Sequence, residues 1–181
     1  LDRLAKTTQN FQTDIIVQLT GDNPLTDPKI IDHMIKEFIN TKNLDFLTNN
    51  GFGDITKRIV PYGMDVSIFS KKNLLKINKK KLNTTYREHP SLFFYKNFSK
   101  IFQIKNTKLK KKWSSDKIYR LTVDTKEDFL LVKKIYTNLN SLNKNFGLEE
   151  IIKFIDNNKK LANININIKQ KKVNEKKLKK N

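Results

Sequence analysis

Ile15-Ile16-Val17-Gln18-Leu19-Thr20-Gly21-Asp22-Asn23-Pro24-Leu25 is an apolar run with β-branched residues that stops abruptly at a Thr-Gly-Asp-Asn-Pro turn. It predicts a buried strand over residues 14–19 with a carboxylate at its carboxyl end. About a hundred residues on, Ile118-Tyr119-Arg120-Leu121-Thr122-Val123-Asp124-Thr125 repeats the arrangement of apolar stretch, terminal aspartate and helix start. In one parallel sheet both aspartates would emerge at the same edge, where open α/β sheets bind their ligands. Neighbouring strands lie about 4.8 Å apart, so carboxylates on adjacent or next-but-one strands can reach one small cation. Asp22 and Asp124 are therefore the expected site.

Helical patterns fill the chain around these two stretches. Asp27-Pro28 is a capping side chain followed by proline at the first helical position. Behind it Ile30, Ile31, Met34, Ile35, Phe38 and Ile39 form one apolar face to lay on a sheet. His33 sits beside that stripe with no second histidine one turn away, so it reads as half-buried surface and not as a metal ligand. Thr125-Lys126-Glu127-Asp128 is a capping box ahead of Leu131, Val132, Ile135, Tyr136 and Leu139. Residues 1–10 and 148–155 predict two further amphipathic helices.

Short strands are expected at residues 44–48, 66–69 and 101–104, with Ser70 capping a helix after the second. The loop Asn49-Asn50-Gly51-Phe52-Gly53-Asp54 lacks the third glycine and following helix of a dinucleotide fingerprint. Arg87-Glu88-His89-Pro90 places three polar residues in succession, which do not share a helix face and so form no preformed triad. They read as a polar helix cap ahead of the core-filling aromatics Leu92-Phe93-Phe94-Tyr95.

A chain of 181 residues suits one domain with a real core. The expected division is an α/β domain over residues 1–168 and a Lys-rich, disordered tail over 169–181, which carries seven lysines and one glutamate. There is no cysteine, which excludes disulfides and thiolate metal sites. No apolar run approaches the roughly 20 residues of a membrane span, and the first residues lack a signal peptide's pattern, so a soluble, cytoplasmic protein with no membrane partner is expected.

The net charge of +19 points towards nucleic acid. Of the 37 basic residues, however, only Arg3, Arg58, Arg87 and Arg120 are arginine, leaving 33 lysines. Phosphate and base readers lean on the planar guanidinium fork, which lysine lacks. The charge is better read as a solvated lysine surface. A small basic nucleic-acid-binding protein, using residues 105–112 and the tail, stands as the alternative.

Four motifs carry a resemblance. Leu19-Thr20-Gly21-Asp22-Asn23-Pro24-Leu25 with Asp27-Pro28, Tyr62-Gly63-Met64-Asp65-Val66, Arg87-Glu88-His89, and Arg120-Leu121-Thr122-Val123-Asp124-Thr125 with Glu127-Asp128 occur in the order found in nucleotide-sugar cytidylyltransferases. The likeness is to the spore-coat polysaccharide branch, related to the enzymes that activate 3-deoxy-manno-octulosonate and acylneuraminate, and it spans about residues 1–165.

The resemblance implies a Rossmann-like, mostly parallel sheet and a magnesium ion held by Asp22 and Asp124. It also implies attack by a sugar or sugar-acid oxygen on the α-phosphate of CTP with release of pyrophosphate, for surface polysaccharide synthesis. Thr20, Gly21, Asn23, Asp65, Arg87 and His89 become substrate contacts; apart from the resemblance, unpaired strand edges suit a homodimer. Members of the family open with a strand and a Gly-, Arg- and Lys-bearing loop around the CTP phosphates. Nothing like it precedes Leu1, so the expectation is an N-terminally truncated chain, the carboxyl-terminal portion of a longer enzyme.

Overall fold

The computed structural model describes residues 1–114 and 117–170. Four short strands, β1 (Ile15–Gln18), β2 (Phe46–Thr48), β3 (Ser67–Ser70) and β4 (Ile104–Asn106), form one sheet in the order β1-β3-β2-β4. The main helices are α1 (Asp2–Gln9), α2 (Pro28–Asn40), α3 (Lys71–Asn78), α4 (Thr84–Glu88), α5 (Pro90–Ile101), α6 (Lys126–Leu142), α7 (Leu148–Asn157) and α8 (Lys159–Ala162). Residues 171–181, most of the expected tail, lie outside the described residues. Among the described residues no helix is long and apolar enough to cross a membrane.

Strand alternation divides the core in two. Ile15, Val17, Leu47 and Ile68 face the layer built from α2, α6 and α7, whose contributions include Met34, Ile135 and Ile151. Ile16, Phe46 and Phe69 face the opposite layer, where Leu74 and Ile77 of α3 meet Phe93 and Phe94 of α5. Phe46 and Phe94 stack with centroids 5.0 Å apart. The α/β class therefore stands, with helices on both faces of the sheet.

The sheet is mixed, where a mostly parallel one was expected. β3 runs antiparallel to both β1 and β2, and only β2 and β4 pair in parallel. A parallel return needs a crossover helix, but between β2 and β3 the chain makes only 3₁₀ turns at Gly51–Gly53 and Ile55–Lys57. β3 consequently starts at the edge where β1 and β2 end.

The expected strand over residues 118–123 is an extended segment and not a member of the sheet. It is attached by a parallel bridge between Tyr62 and Arg120. The Tyr62 N–H donates to Tyr119 O (2.9 Å) and the Leu121 N–H to Tyr62 O (2.7 Å). Leu121 is fully buried, so the apolar pattern reported burial without ladder pairing. The strand expected at residues 101–104 begins later, because Ile101 ends α5.

Caps set where the helices begin. Asp27 accepts the Lys29 N–H at the start of α2 (2.8 Å) and, through its other oxygen, the Leu148 N–H at the start of α7 (2.8 Å). One buried carboxylate thus satisfies orphan donors of two helices and ties their amino ends together. Ser70 and Thr125 cap α3 and α6 as the sequence predicted.

Gly63 makes a close approach to another stretch of backbone. Its φ is +93°, and a Cβ there would lie 2.5 Å from the Leu121 carbonyl carbon and from the Thr122 nitrogen. Both the backbone conformation and the contact require glycine. Gly63→Ala is expected to destabilise the chain by about 2–4 kcal/mol, from strain plus overpacking, as measured by urea unfolding.

Candidate functional site

The carboxyl end of β1 opens into a turn in which the Asn23 N–H donates to Thr20 O (3.1 Å) and the Thr26 hydroxyl to Asn23 O (2.9 Å). This turn reaches the extended segment ahead of α6. The Val123 N–H donates to Asp22 O (2.8 Å), and the Thr122 hydroxyl lies 3.2 Å from Asp22 Oδ2. Asp22 is therefore bonded to the residue immediately before Asp124. The two aspartates are linked through backbone contact between loops, not through adjacent strands.

Asp22 Oδ1 is buried and has no hydrogen-bond partner among the described residues. A carboxylate oxygen withdrawn from water in this way calls for a cation or donor. Asp124 is more open, its side chain 29% exposed, and one oxygen takes the Arg120 guanidinium. Two acidic side chains with an unshared oxygen fit a magnesium ion, which takes one or two carboxylates and completes its shell with water and phosphate oxygens. Among the described residues no group of three or more His, Cys, Asp and Glu is placed to hold a metal alone.

Arg120 is anchored from behind. Its side chain is 8% exposed, and Nε and Nη2 meet both oxygens of Asp128, which is wholly buried, at 3.0–3.2 Å. The Asp124 and Thr125 N–H groups also donate to Asp128 Oδ2 (3.1 Å each). Burial pushes the Asp128 carboxyl up, but the bonds from Arg120, from Asn165 and from the Asp124 backbone together hold it below the usual carboxylate range.

The second turn stands at the same edge. Asp65 pairs with Arg58 Nη1 at 2.7 Å, and the Arg58 guanidinium, 7% exposed, lies 4.4 Å from the centre of the Tyr62 ring. Asn49, fully buried, donates to Met64 O (2.8 Å) and accepts the Val66 N–H (2.9 Å), so it fixes the turn's exit into β3. Tyr95 donates to Asn50 Oδ1 (3.1 Å), with burial raising its phenol.

Of the predicted contacts, Thr20, Gly21 and Asn23 share the turn with Asp22. The space above Gly21 is open, since a Cβ there would meet nothing within 4 Å. Arg87 and His89 are elsewhere in the contact network. Arg87 pairs with Asp2 (2.5 Å), His89 is exposed, and no bond or ion pair among the described residues joins either to Asp22 or Asp124. The sequence reading missed Arg58, Asn49, Asp128 as an ion-pair partner, and Asn165. Two signals were legible: half of the four arginines sit beside these turns, and Asn-Ile alternates over residues 163–168.

Two cavities among the described residues lie away from Asp22 and Asp124. One, of about 160 Å³, lies behind Arg120 against Tyr62, Asn165 and Gln170. The other, a cleft of about 710 Å³ with Asp45, Lys71 and Lys76, is at the opposite end of the strands.

A family model described as Cytidylyltransferase matches residues 1–179. Uncharacterized protein MJ1063 of Methanocaldococcus jannaschii is 30% identical over 173 residues, covering 94% of this chain and 65% of the relative. Spore coat polysaccharide biosynthesis protein SpsF of Bacillus subtilis is 28% identical over 138 residues, covering 75% of this chain and 52% of the relative. The solved structure of a cytidylyltransferase from Leptospira borgpetersenii superposes with a TM-score of 0.77 at 33% identity, covering 89% of this chain and 63% of that one. The chain thus spans under two thirds of each of these proteins.

The Asp128 charge gives the site a pH signature. A carboxylate with a lowered native pKa contributes stability that is complete above its unfolded value of about 4 and is lost as pH falls through the native value. Asp128→Ala should cost about 3–5 kcal/mol at neutral pH, because it leaves Arg120 buried without its main partner. Urea unfolding across the acid range should also show a shallower loss of stability on acidification than in the unmodified chain.

Proposed function

This chain belongs to the cytidylyltransferase family, and we propose that it forms the metal-binding and acceptor side of an enzyme that activates a sugar or sugar acid with CTP. In the reaction an acceptor oxygen forms a bond to the α-phosphorus of CTP as the bond from that phosphorus to the β-bridging oxygen breaks. The products are a CMP-sugar and pyrophosphate, and an attacking hydroxyl's proton leaves to solvent. The observation that carries this reading is the joining of the Gly21-Asp22 turn to residues 122–124, with Asp22 Oδ1 left unpartnered.

Asp22 and Asp124 would hold a magnesium ion, which when bound supplies positive charge against the triphosphate. The chain's own groups bind and orient. Arg120 fixes the direction of Asp124, while Arg58 fixes Asp65, whose side chain remains 32% exposed and able to accept a hydroxyl hydrogen from the acceptor. Open space over Gly21 admits a ligand to the turn. Arg87 and His89 are not drawn on. The name of the Bacillus subtilis relative supports a product destined for surface polysaccharide.

The nucleic-acid reading is weakened by what the basic loop does. Lys105 pairs with Glu37 (2.8 Å), which also accepts from Thr107, and Lys110 and Lys112 both lie 5.5 Å from the Trp113 ring centre. These cations already have partners.

Calorimetric titration of CTP with magnesium tests the proposal. Binding is expected, with Asp22→Asn and Asp124→Asn each lowering affinity at least about 10-fold and Gly21→Ala lowering it without a change in unfolding midpoint. Absence of binding, together with nucleic-acid binding that falls steeply with salt, would transfer the assignment to the basic binding protein.

A further inference from the structure

Asp124 depends on a part of the chain that contributes nothing else to the site. Asn165 follows α8 and is 5% exposed. Its Nδ2 donates to Arg120 O (2.9 Å) and to Asp128 Oδ1 (2.8 Å). Gln170 Oε1 accepts from Arg120 Nη1, on the opposite side of the guanidinium from its bonds to Asp128. Residues 165–170 therefore grip Arg120 at its backbone, at its counter-ion and at its outer nitrogen. The remaining nitrogen, Nη2, is shared between Asp128 and Asp124.

The alternation of this segment shows that the grip is built in. In Asn163-Ile164-Asn165-Ile166-Asn167-Ile168 the asparagines at 163 and 167 are exposed, and only Asn165 turns inward. A buried amide in that place meets two acceptors at once. Asp128, which already accepts from Arg120 and from two backbone N–H groups, accepts its last bond from Asn165. With every oxygen position filled, the carboxylate has one orientation, and the guanidinium it holds has one as well.

We infer that Asn165 is a positioning residue: acting through Arg120 and Asp128, it sets the direction of the Asp124 carboxylate and so couples the segment after α8 to the cation and nucleotide site. The inference rests on the function proposed above for Asp124, and it extends that function to a residue some forty positions away in sequence. The role depends on donation. An isosteric acid at position 165 has no N–H to give and faces a carboxylate, so it is worse there than a truncated side chain. A residue needed only for packing would show the reverse order.

The test uses the full chain and Mn²⁺ with CTP as the probe, read by calorimetry. Asn165→Ala should weaken Mn²⁺–CTP binding about 10–100-fold, as loss of an outer partner of a metal ligand does, and Asn165→Asp should weaken it more. In an Asp124→Ala background the Asn165→Ala effect should vanish, because the coupling runs through Asp124. Equal or better binding by Asn165→Asp than by Asn165→Ala, or an undiminished effect without Asp124, overturns the inference.

A second readout needs no ligand. Hydrogen exchange at Arg120 Nε, followed by NMR, should be slow in the unmodified chain and faster in Asn165→Ala at a temperature where both are folded. Unchanged exchange overturns the inference on its own. Failure of the unmodified chain to bind Mn²⁺–CTP is a separate result that strikes the proposed function. In that case faster exchange in Asn165→Ala still supports the positioning of Arg120 by Asn165.

Discussion

The ion pair between Arg120 and Asp128 is the constraint on which the rest of the site depends. Both side chains are almost wholly withdrawn from water, and a buried charge is tolerated only when its partners are complete. Satisfying it draws together the extended segment before α6, the first turn of α6 and the residues after α8. The same demand explains why the capping box of α6 uses an aspartate. Asp128 serves as the N3 acceptor for backbone donors and as the counter-ion of Arg120 at once.

A second constraint is steric. Gly63 lets the Tyr62-Gly63 turn lie directly against the backbone of Leu121 and Thr122, where any side chain would collide. That contact and the Tyr62 bridge hold the extended segment beside the sheet without making it a strand. The segment then lies within reach of the turn after β1, and the Asp22 carbonyl takes the Val123 N–H. Three stretches from different parts of the sequence meet at one edge through backbone bonds for which Gly63 leaves room. The link between the turn of Asp22 and the segment that leads into Asp124 comes from that scaffold.

The net charge has a plain physical place in this structure. Lysines occupy outward positions of the helices and the basic loop, and several are paired locally, as Lys105 is with Glu37, Lys117 with Asp156 and Lys153 with Glu149. Exposed pairs of this kind add little to stability. The arginines are used differently, with Arg58 and Arg120 buried against carboxylates at the candidate site. Lysine therefore solvates the surface while arginine orients the acids, in keeping with a planar fork that loses less freedom on fixing.

The sequence by itself determined the α/β class, the helix starts at Asp27, Ser70 and Thr125, and the choice of Asp22 and Asp124 as residues that end apolar stretches at turns. These are local properties: caps act within four residues, and burial imprints its period on neighbouring side chains. Tertiary structure alone decided that β3 runs antiparallel, that residues 118–123 stay outside the sheet, and that Asp27 caps two helices. Strand direction follows from which edge the chain returns to, and an apolar run looks the same whether its backbone pairs with a strand or with a loop. The scarcity of arginine and the Asn-Ile alternation marked Arg58, Arg120 and Asn165 in the sequence, but not the groups they would meet. Their partners lie 7, 8 and 37 positions away, and no local pattern says which buried carboxylate a distant donor will meet.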